Sequence, residues 1–520
     1  LDSLDAALAA EFLTEDGDGR TRFAHVLVRD ALYEEVSGPR RARWHLAAAE
    51  ALERLRPDDH GAAAHHFARA GTPGATARAA HHAGAAAAAA EHRFAPHEAA
   101  RWWAAAVDAH DRAGDGDVRG RLYAVMGLVR ALAVTGRLAD ARRHRAEAVA
   151  AAEGLGDPVL TAEVVTAFDV PALWTRDDDP GLARSVTAAA ERALAALPAD
   201  RERLRARLLA AIALESRGTA SARGADAART AEAAARRLGD PALLALALNA
   251  RFMQSFDRAG RAPERAAIGA ELVDLGARNG LVTFEVLGHL VLLQARSALA
   301  DLTAADAHAE AADRLGARYG IPLVGVFTQG YTALRAAVAG RTEEAEAAYR
   351  AAGDRLAGAG MPGVEEGVVP LALLCLRLRT GAPQAPPEDG ADWGPYAPWA
   401  RPLADPEGGP VPPDAPPGLL AEALTCLGAR AAIAAGDRAA MERAYERLLP
   451  AAGELAGAGS GLLTLGPVAA HLAGLAAALG RPGDAAAHTR RAHAVADQAG
   501  DPFATAAARA PQDGGPPGPG

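Results

Sequence analysis

The sequence predicts an all-α fold, a superhelical solenoid of stacked helical hairpins, and three observations predict it. The first is a terminator that returns along the chain: Gly156-Asp157-Pro158, Gly239-Asp240-Pro241, Gly320-Ile321-Pro322, Gly360-Met361-Pro362 and Gly500-Asp501-Pro502. Its prolines lie 83, 81, 40 and 140 residues apart, and the first three gaps fit one or two units of about 40 residues, the spacing of helical-hairpin repeats. The second is a small turn followed closely by Ala, as in Gly136-Arg-Leu-Ala-Asp-Ala141, Gly260 to Ala266 and Gly340 to Ala345, with looser versions at Gly436 to Met441 and Gly480 to Ala485. The third is composition: Ala dominates many segments while aromatic residues make up only 4%.

Each terminator has a physical reading. The Gly takes the left-handed position that ends one helix. The Asp, present in three of the five, accepts the first free amides of the next helix. The Pro fits the first helical turn, where no donor is needed. Ala just inside the second helix lets two helices approach closely. Each unit therefore reads helix, tight turn, helix, Gly-x-Pro, a tetratricopeptide-like plan in a long variant.

At 520 residues the chain exceeds one ordinary core. A solenoid removes that limit, because each unit buries its apolar face on its neighbours. The net charge of −10 argues against nucleic-acid coating by this chain alone. All 55 basic residues are Arg; there is no lysine for a phosphate loop, a Schiff base or a general base. Cys375 and Cys426 read as buried thiols rather than a disulfide or a metal site. No secretory h-region and no apolar run of 18 residues is present, so no membrane partner is expected and a cytoplasmic location is the default.

Along the chain, residues 1–55 read as a winged-helix-like remnant. Phe12-Leu13 and Thr21-Arg22-Phe23 flank the Asp16 to Gly19 turn as a small β-hairpin, and Phe23, Val26, Leu27, Ala31, Leu32 and Val36 form a helical stripe. Pro39 opens a second helix that runs to about Leu55. The sequence begins at Leu1, without Met, part-way into this module. Residues 62–380 and 419–509 are expected to be the helical repeats. Val170-Pro171 breaks a helix, and Asp177-Asp178-Asp179-Pro180 reads as a loop with a cap. Arg201, Arg203, Arg205 and Arg207 read as a solvated flank. Residues 381–418 are a Pro- and aromatic-rich insert in which a regular helix is not expected. Residues 510–520 are expected to be a disordered tail.

No catalytic, cofactor or metal residues are assigned. Gly358 to Gly363 matches GxGxxG, but a helical pattern precedes it and Pro362 lies inside it, so it reads as a repeat boundary. Of the clustered histidines His60, His65, His66, His81, His82, His92 and His97, neighbours on a helix diverge by about 100° and form no joint metal face. Ser460 lacks the surroundings of a nucleophile elbow. The one candidate for partner binding is Trp393, Tyr396 and Trp399 in the insert, set against the reading that they pack the insert onto the solenoid.

Phe23-Ala-His-Val-Leu-Val-Arg-Asp-Ala-Leu-Tyr33 and Arg41-Ala-Arg-Trp-His45 resemble the winged-helix module that follows the nucleotide-binding domain of bacterial STAND-type signalling ATPases, including the large LuxR-type regulators. Leu248 to Phe252, Leu281 to His289, Tyr319 to Phe327, Gly358 to Gly363 and Asp392 to Trp399 resemble the C-terminal arm of SARP-like, BTAD-containing transcription regulators. The likeness covers most of residues 10–505. It implies an upstream DNA-binding domain, a bacterial transcriptional activator domain and an NTPase, so that DNA and ATP would be bound only outside this chain. The expected function is a sensor arm whose concave face takes a protein segment or a small inducer. The alternative is a free-standing adaptor scaffold; an enzyme reading has no residues to attach to.

Overall fold

A computed structural model describes residues 2–15, 21–114, 116–219, 221–381, 392–404 and 409–502. The chain is all-α and built of helical repeats. It divides into two compact units, Leu1–Leu128 and Val129–Gly520.

The first unit opens with the expected hairpin. Leu13–Glu15 pairs antiparallel with Thr21–Phe23, Leu13 opposite Phe23; the turn between them lies outside the described residues. Helix Val26–Glu35 follows, but it contains no buried residue, and Val26, Leu27 and Leu32 are exposed. The apolar stripe is therefore present without a core beneath it. Helices Gly38–Leu55, His60–Ala70, Pro73–His92 and Pro96–Ala113 then stack in sequence. Their core is mostly Ala around Phe67. Trp102 and Trp103 diverge as adjacent helical residues must. The Trp102 ring lies against Gly61 and the Trp103 ring against Gly84 and Gly127, where no side chain competes for the space.

In the second unit the terminators do what their residues dictate. Gly156, Gly239, Gly320, Gly360 and Gly500 have φ between 63° and 74°. Asp157 accepts from the amides of Val159 and Leu160, and Asp240 accepts from Leu243. The third boundary departs from the rule, helix Val324–Val338 starting two residues after Pro322, whereas at the fourth a four-residue helix starts at Pro362 although Met361 offers no side-chain cap. Helices Ala262–Asn279 and Val282–Ala298 meet closely through glycines. A Cβ on Gly276 would fall 2.7 Å from the Glu285 amide nitrogen, and one on Gly288 would fall 2.7 Å from that of Val273. Ala141, Ala266 and Ala345 are buried where the small-residue mark places them.

Two segments interrupt the repeats. Residues 167–179 are irregular and lie across several helices. Residues 449–467 contain two 3-10 turns, at Leu449–Ala451 and Ala458–Ser460; Leu449 and Pro450 are exposed, and every residue from Glu454 to Pro467 is buried. The Leu455 amide donates to Ala298 O, and Gln294 Nε2 donates to Ser460 O at 3.1 Å. This stretch covers a face of helices Val282–Ala298 and Val324–Val338 that regular repeats would leave open. Ser460 Oγ donates to Gly457 O and accepts from the Leu462 amide, so its hydroxyl stabilises a turn.

The expectation of no regular helix in the insert is corrected. Gly394–Tyr396 forms a 3-10 turn and Ala397–Ala404 an α-helix. Pro398 sits in the first helical turn, where no donor is required, so only Pro402 removes a bond. Insert residues 382–391 and 405–408, residues 503–509 and the tail lie outside the described residues. Among the described residues no helix is long and apolar enough to cross a membrane.

Candidate functional site

The second unit contains a partly open cavity of about 250 Å³. Its apolar wall comes from opposite parts of the chain. Leu138 and Ala141 on helix Leu138–Gly154 and Leu182 on helix Pro180–Ala196 face Val286, Leu287 and Leu290 on helix Val282–Ala298. Phe327 on helix Val324–Val338, with Met361 and Val364 at a later boundary, completes it. The irregular segment 167–179 runs between these groups as a strap. It is fixed by backbone chemistry: Asn249 bonds both the amide and the carbonyl of Ala172, and Trp174 Nε1 donates to Gly363 O at 2.9 Å. A Cβ on Gly363 would lie 2.6 Å from Arg176 O, so only Gly permits this approach.

Charged side chains are set into this apolar wall. Arg142 and Arg145, three apart on one helix, share a face. Arg145 Nη1 lies 2.8 Å from Glu215 Oε1, and both side chains are more than nine-tenths buried. The Arg145 guanidinium also sits 4.2 Å from the Phe168 ring centre, a cation–π contact. Arg217 Nη2 lies 2.6 Å from Asp177 Oδ1 and its Nη1 lies 4.0 Å from Glu215. Arg142 Nη1 contacts Asp178 at 3.2 Å and donates to Gly360 O at 2.8 Å, while Asp178 accepts from the Gly363 amide. Arg176 reaches Glu366 at 2.5 Å. Asp179, as expected, caps the next helix by accepting from Leu182.

Burial pushes the Asp177 carboxyl up to about 7; Arg217 opposes the rise, and Glu215 and Asp178 add to it. Burial also raises Asp178, against the Gly363 amide and Arg142. Four buried polar atoms of this group lack a directed hydrogen bond: Arg145 Nε, Arg217 Nε, Arg176 Nη1 and Asp177 Oδ1.

Of the charged residues at this site, the sequence reading singled out only the acidic triplet, as a loop with a cap. The available signal was the long helix-free stretch after Pro171, since loops of this length inside compact repeats are commonly functional. The insert aromatics lie elsewhere. Tyr396 and Trp399 are buried, Trp399 Nε1 donating to Pro413 O at 3.1 Å, and Trp393 is half-buried. Tyr396 shares a hydrogen bond with Arg176, which ties the insert to the cavity rim. The GxGxxG stretch supplies wall and strap contacts at a repeat boundary. Of the arginine row, Arg205 donates to Leu194 O and Leu197 O, and Arg207 to Thr166 O. These two satisfy the last carbonyls of helices rather than standing in solvent.

The histidines pair across hairpins. His45 Nδ1 lies 2.8 Å from His66 Nδ1, His60 Nδ1 lies 3.1 Å from His82 Nδ1, and His289 Nδ1 lies 3.1 Å from His308 Nδ1. Among the described residues no group of three potential ligands could hold a metal ion. Cys375 and Cys426 are buried free thiols, and burial pushes Cys375 up to about 12. No family model and no curated protein matches the chain.

Proposed function

We propose that the chain is the sensing arm of a transcriptional regulator, a set of helical repeats that holds a small effector and passes its bound state to attached nucleotide-hydrolysing and DNA-binding regions. The observation that carries the reading is the cavity: an apolar wall with a few convergent charged groups is the usual form of a small-molecule site. Its volume of about 250 Å³ lies just under the roughly 300–1,000 Å³ typical of such sites. The strap bonds to both sides of the cavity, so an effector that prefers one strap position shifts the repeats joined by it. The resemblance at Phe23 to Tyr33 and at the repeat motifs supports the regulator context. An adaptor scaffold would present an open groove, whereas residues 455–463 cover the neighbouring face, which favours the sensor reading.

Two measurements test it. The coding sequence upstream of Leu1 is expected to contain an in-frame phosphate loop. In the whole regulator, Val286→Phe, which fills the cavity from its apolar wall, is expected to abolish the effector response of a promoter reporter while the protein stays folded. A folded Val286→Phe protein with a normal response removes the cavity from the mechanism.

A further inference from the structure

We infer that the cavity takes an uncharged, largely apolar small molecule of about ten non-hydrogen atoms, and that the charged side chains around it hold the strap rather than the ligand. The inference rests on the reading above that the cavity holds an effector, and it names the chemical class of that effector.

The charges at the cavity are already matched to one another. Arg142 pairs with Asp178, Arg145 with Glu215, Arg176 with Glu366 and Arg217 with Asp177, while Asp179 caps a helix. The polar atoms of this group that lack a directed bond are buried within it and do not open on the cavity. An anionic ligand would have to displace a carboxylate from its arginine, and a cationic ligand an arginine from its carboxylate. Either exchange leaves a protein charge without a partner. For Arg145 and Glu215 that stranded charge would be more than nine-tenths buried, where breaking an ion pair costs most. An uncharged ligand leaves all four pairs intact.

The remaining wall sets the body of the ligand. Leu138, Val286, Leu287, Leu290 and Phe327 offer only apolar surface, whose burial favours a hydrocarbon or aryl body. Two lining side chains carry an uncharged polar group: the Trp174 indole, already committed to Gly363 O, and the Thr283 hydroxyl. A sugar or other polyol would exchange most of its hydrogen bonds to water for apolar contact. A single carbonyl or hydroxyl is accommodated, because the cavity is partly open and that group can stay in water. Size follows from scale. An apolar protein cavity of about 150 Å³ takes benzene, so about 250 Å³ takes about ten non-hydrogen atoms.

The test uses the full chain, titration calorimetry and two sets of probes matched in shape: 4-methylacetophenone, 4-methylbenzoate and 4-methylbenzylammonium, and 2-nonanone, octanoate and octylammonium, with glucose as an uncharged polyol. At least one ketone is expected to bind, on the order of tenfold more tightly than the anion and the cation of its set, with a negative heat-capacity change and an affinity that salt does not alter. Glucose is expected not to bind. Val286→Phe, which fills the cavity, is expected to weaken ketone binding on the order of tenfold. Leu138→Ala, which widens it, is expected to shift the preference toward the larger 2-acetylnaphthalene. Thermal unfolding shows which variants fold, and either folded variant locates the binding. An anion, a cation or glucose that binds as tightly as the ketones overturns the inference while leaving a sensor of another ligand standing. Failure of both ketones to bind at millimolar concentration, or ketone binding that the folded variants leave unchanged, also overturns it. Failure of the sensor reading shows separately, as a reporter response that Val286→Phe leaves unchanged.

Discussion

Replacing Glu454 by Gln should make the protein more stable in alkali and leave it unchanged in acid. Glu454 and Glu422, on helix Ala421–Ala435, share a hydrogen bond in which Glu454 acts as the protonated donor. Both face a single cation, Arg265, whose Nη2 lies 4.0 Å from Glu454 and whose guanidinium lies 4.6 Å from the Phe256 ring centre. Two carboxylates and one guanidinium balance only if one proton stays. Burial accordingly pushes Glu454 from 4.5 up to about 8, with the Glu422 charge adding to the rise and Arg265 opposing it.

A carboxyl raised in the folded state contributes stability that is complete below about pH 4.5 and is lost as pH rises through about 8. The span from 4.5 to about 8 sets a ceiling of about 5 kcal/mol, at about 1.4 kcal/mol per pH unit. Local relaxation and water entry reduce this, so a loss of about 3 kcal/mol is expected by pH 9. Gln at this position mimics the protonated acid: its amide donates to Glu422 and its oxygen accepts from the Ala262 amide, as Glu454 Oε1 does at 3.4 Å. Over a unit of some 390 residues, about 3 kcal/mol corresponds to about 4 °C in Tm. Thermal unfolding from pH 5 to pH 9 should show wild type and Glu454→Gln coinciding at pH 5 and separating in favour of the variant above pH 8. Curves that run parallel over the whole range would refute the shared-proton arrangement.

Three other substitutions, one of them with a matched control, probe other parts of the fold. Burial and the neighbouring His308 hold His289 down to about 4, so its contribution is present above pH 6.5 and lost as pH falls toward 4; His289→Gln should reduce that acid loss by on the order of 1–2 kcal/mol in denaturant titrations at pH 5 against pH 7. Asp501→Ala strips the buried Arg379 of a carboxylate at 2.7 Å and should cost about 3–5 kcal/mol, with faster amide exchange in helices Val368–Thr380 and Pro482–Ala499. Gly276→Ala drives a methyl into the Glu285 backbone and should cost about 1–3 kcal/mol, whereas Gly74→Ala, with open space around it, should cost far less.

The parts of this fold that were legible are those written in local chemistry. Gly156, Asp157 and Pro158 each have one conformational use, and three adjacent residues suffice to end one helix and start another. The hairpin at Leu13 and Phe23 could be found for the same reason. The cavity could not, because Arg145, Asp177, Arg217 and Val286 are brought together by the stacking of repeats, and no local spacing encodes that. The histidine pairs are of this kind too: His289 and His308 are 19 residues apart because a hairpin turn lies between them, not because of a motif. Arg205 and Arg207 misled in another way. An alternating row of arginines has the composition of a solvated face, and only the positions of two helix ends give those side chains carbonyls to bind.

The same weakness that makes these helices easy to predict explains why a cavity exists. Ala favours helix strongly but removes little apolar area from water, so Ala-faced helices leave space between them that neighbouring repeats do not fill. In one place the chain fills it with residues 449–467, whose backbone bonds to Ala298 and whose turns satisfy their own polar groups. In the other, the strap at 167–179 fills it only in part and brings charged side chains with it. Buried ion pairs of this kind add little net stability, yet they restrict the arrangements a segment can adopt. The strap is held on one side at the boundary around Gly360 and Gly363, through Arg142, Trp174 and Asp178, and on the other by Asn249 at Ala172.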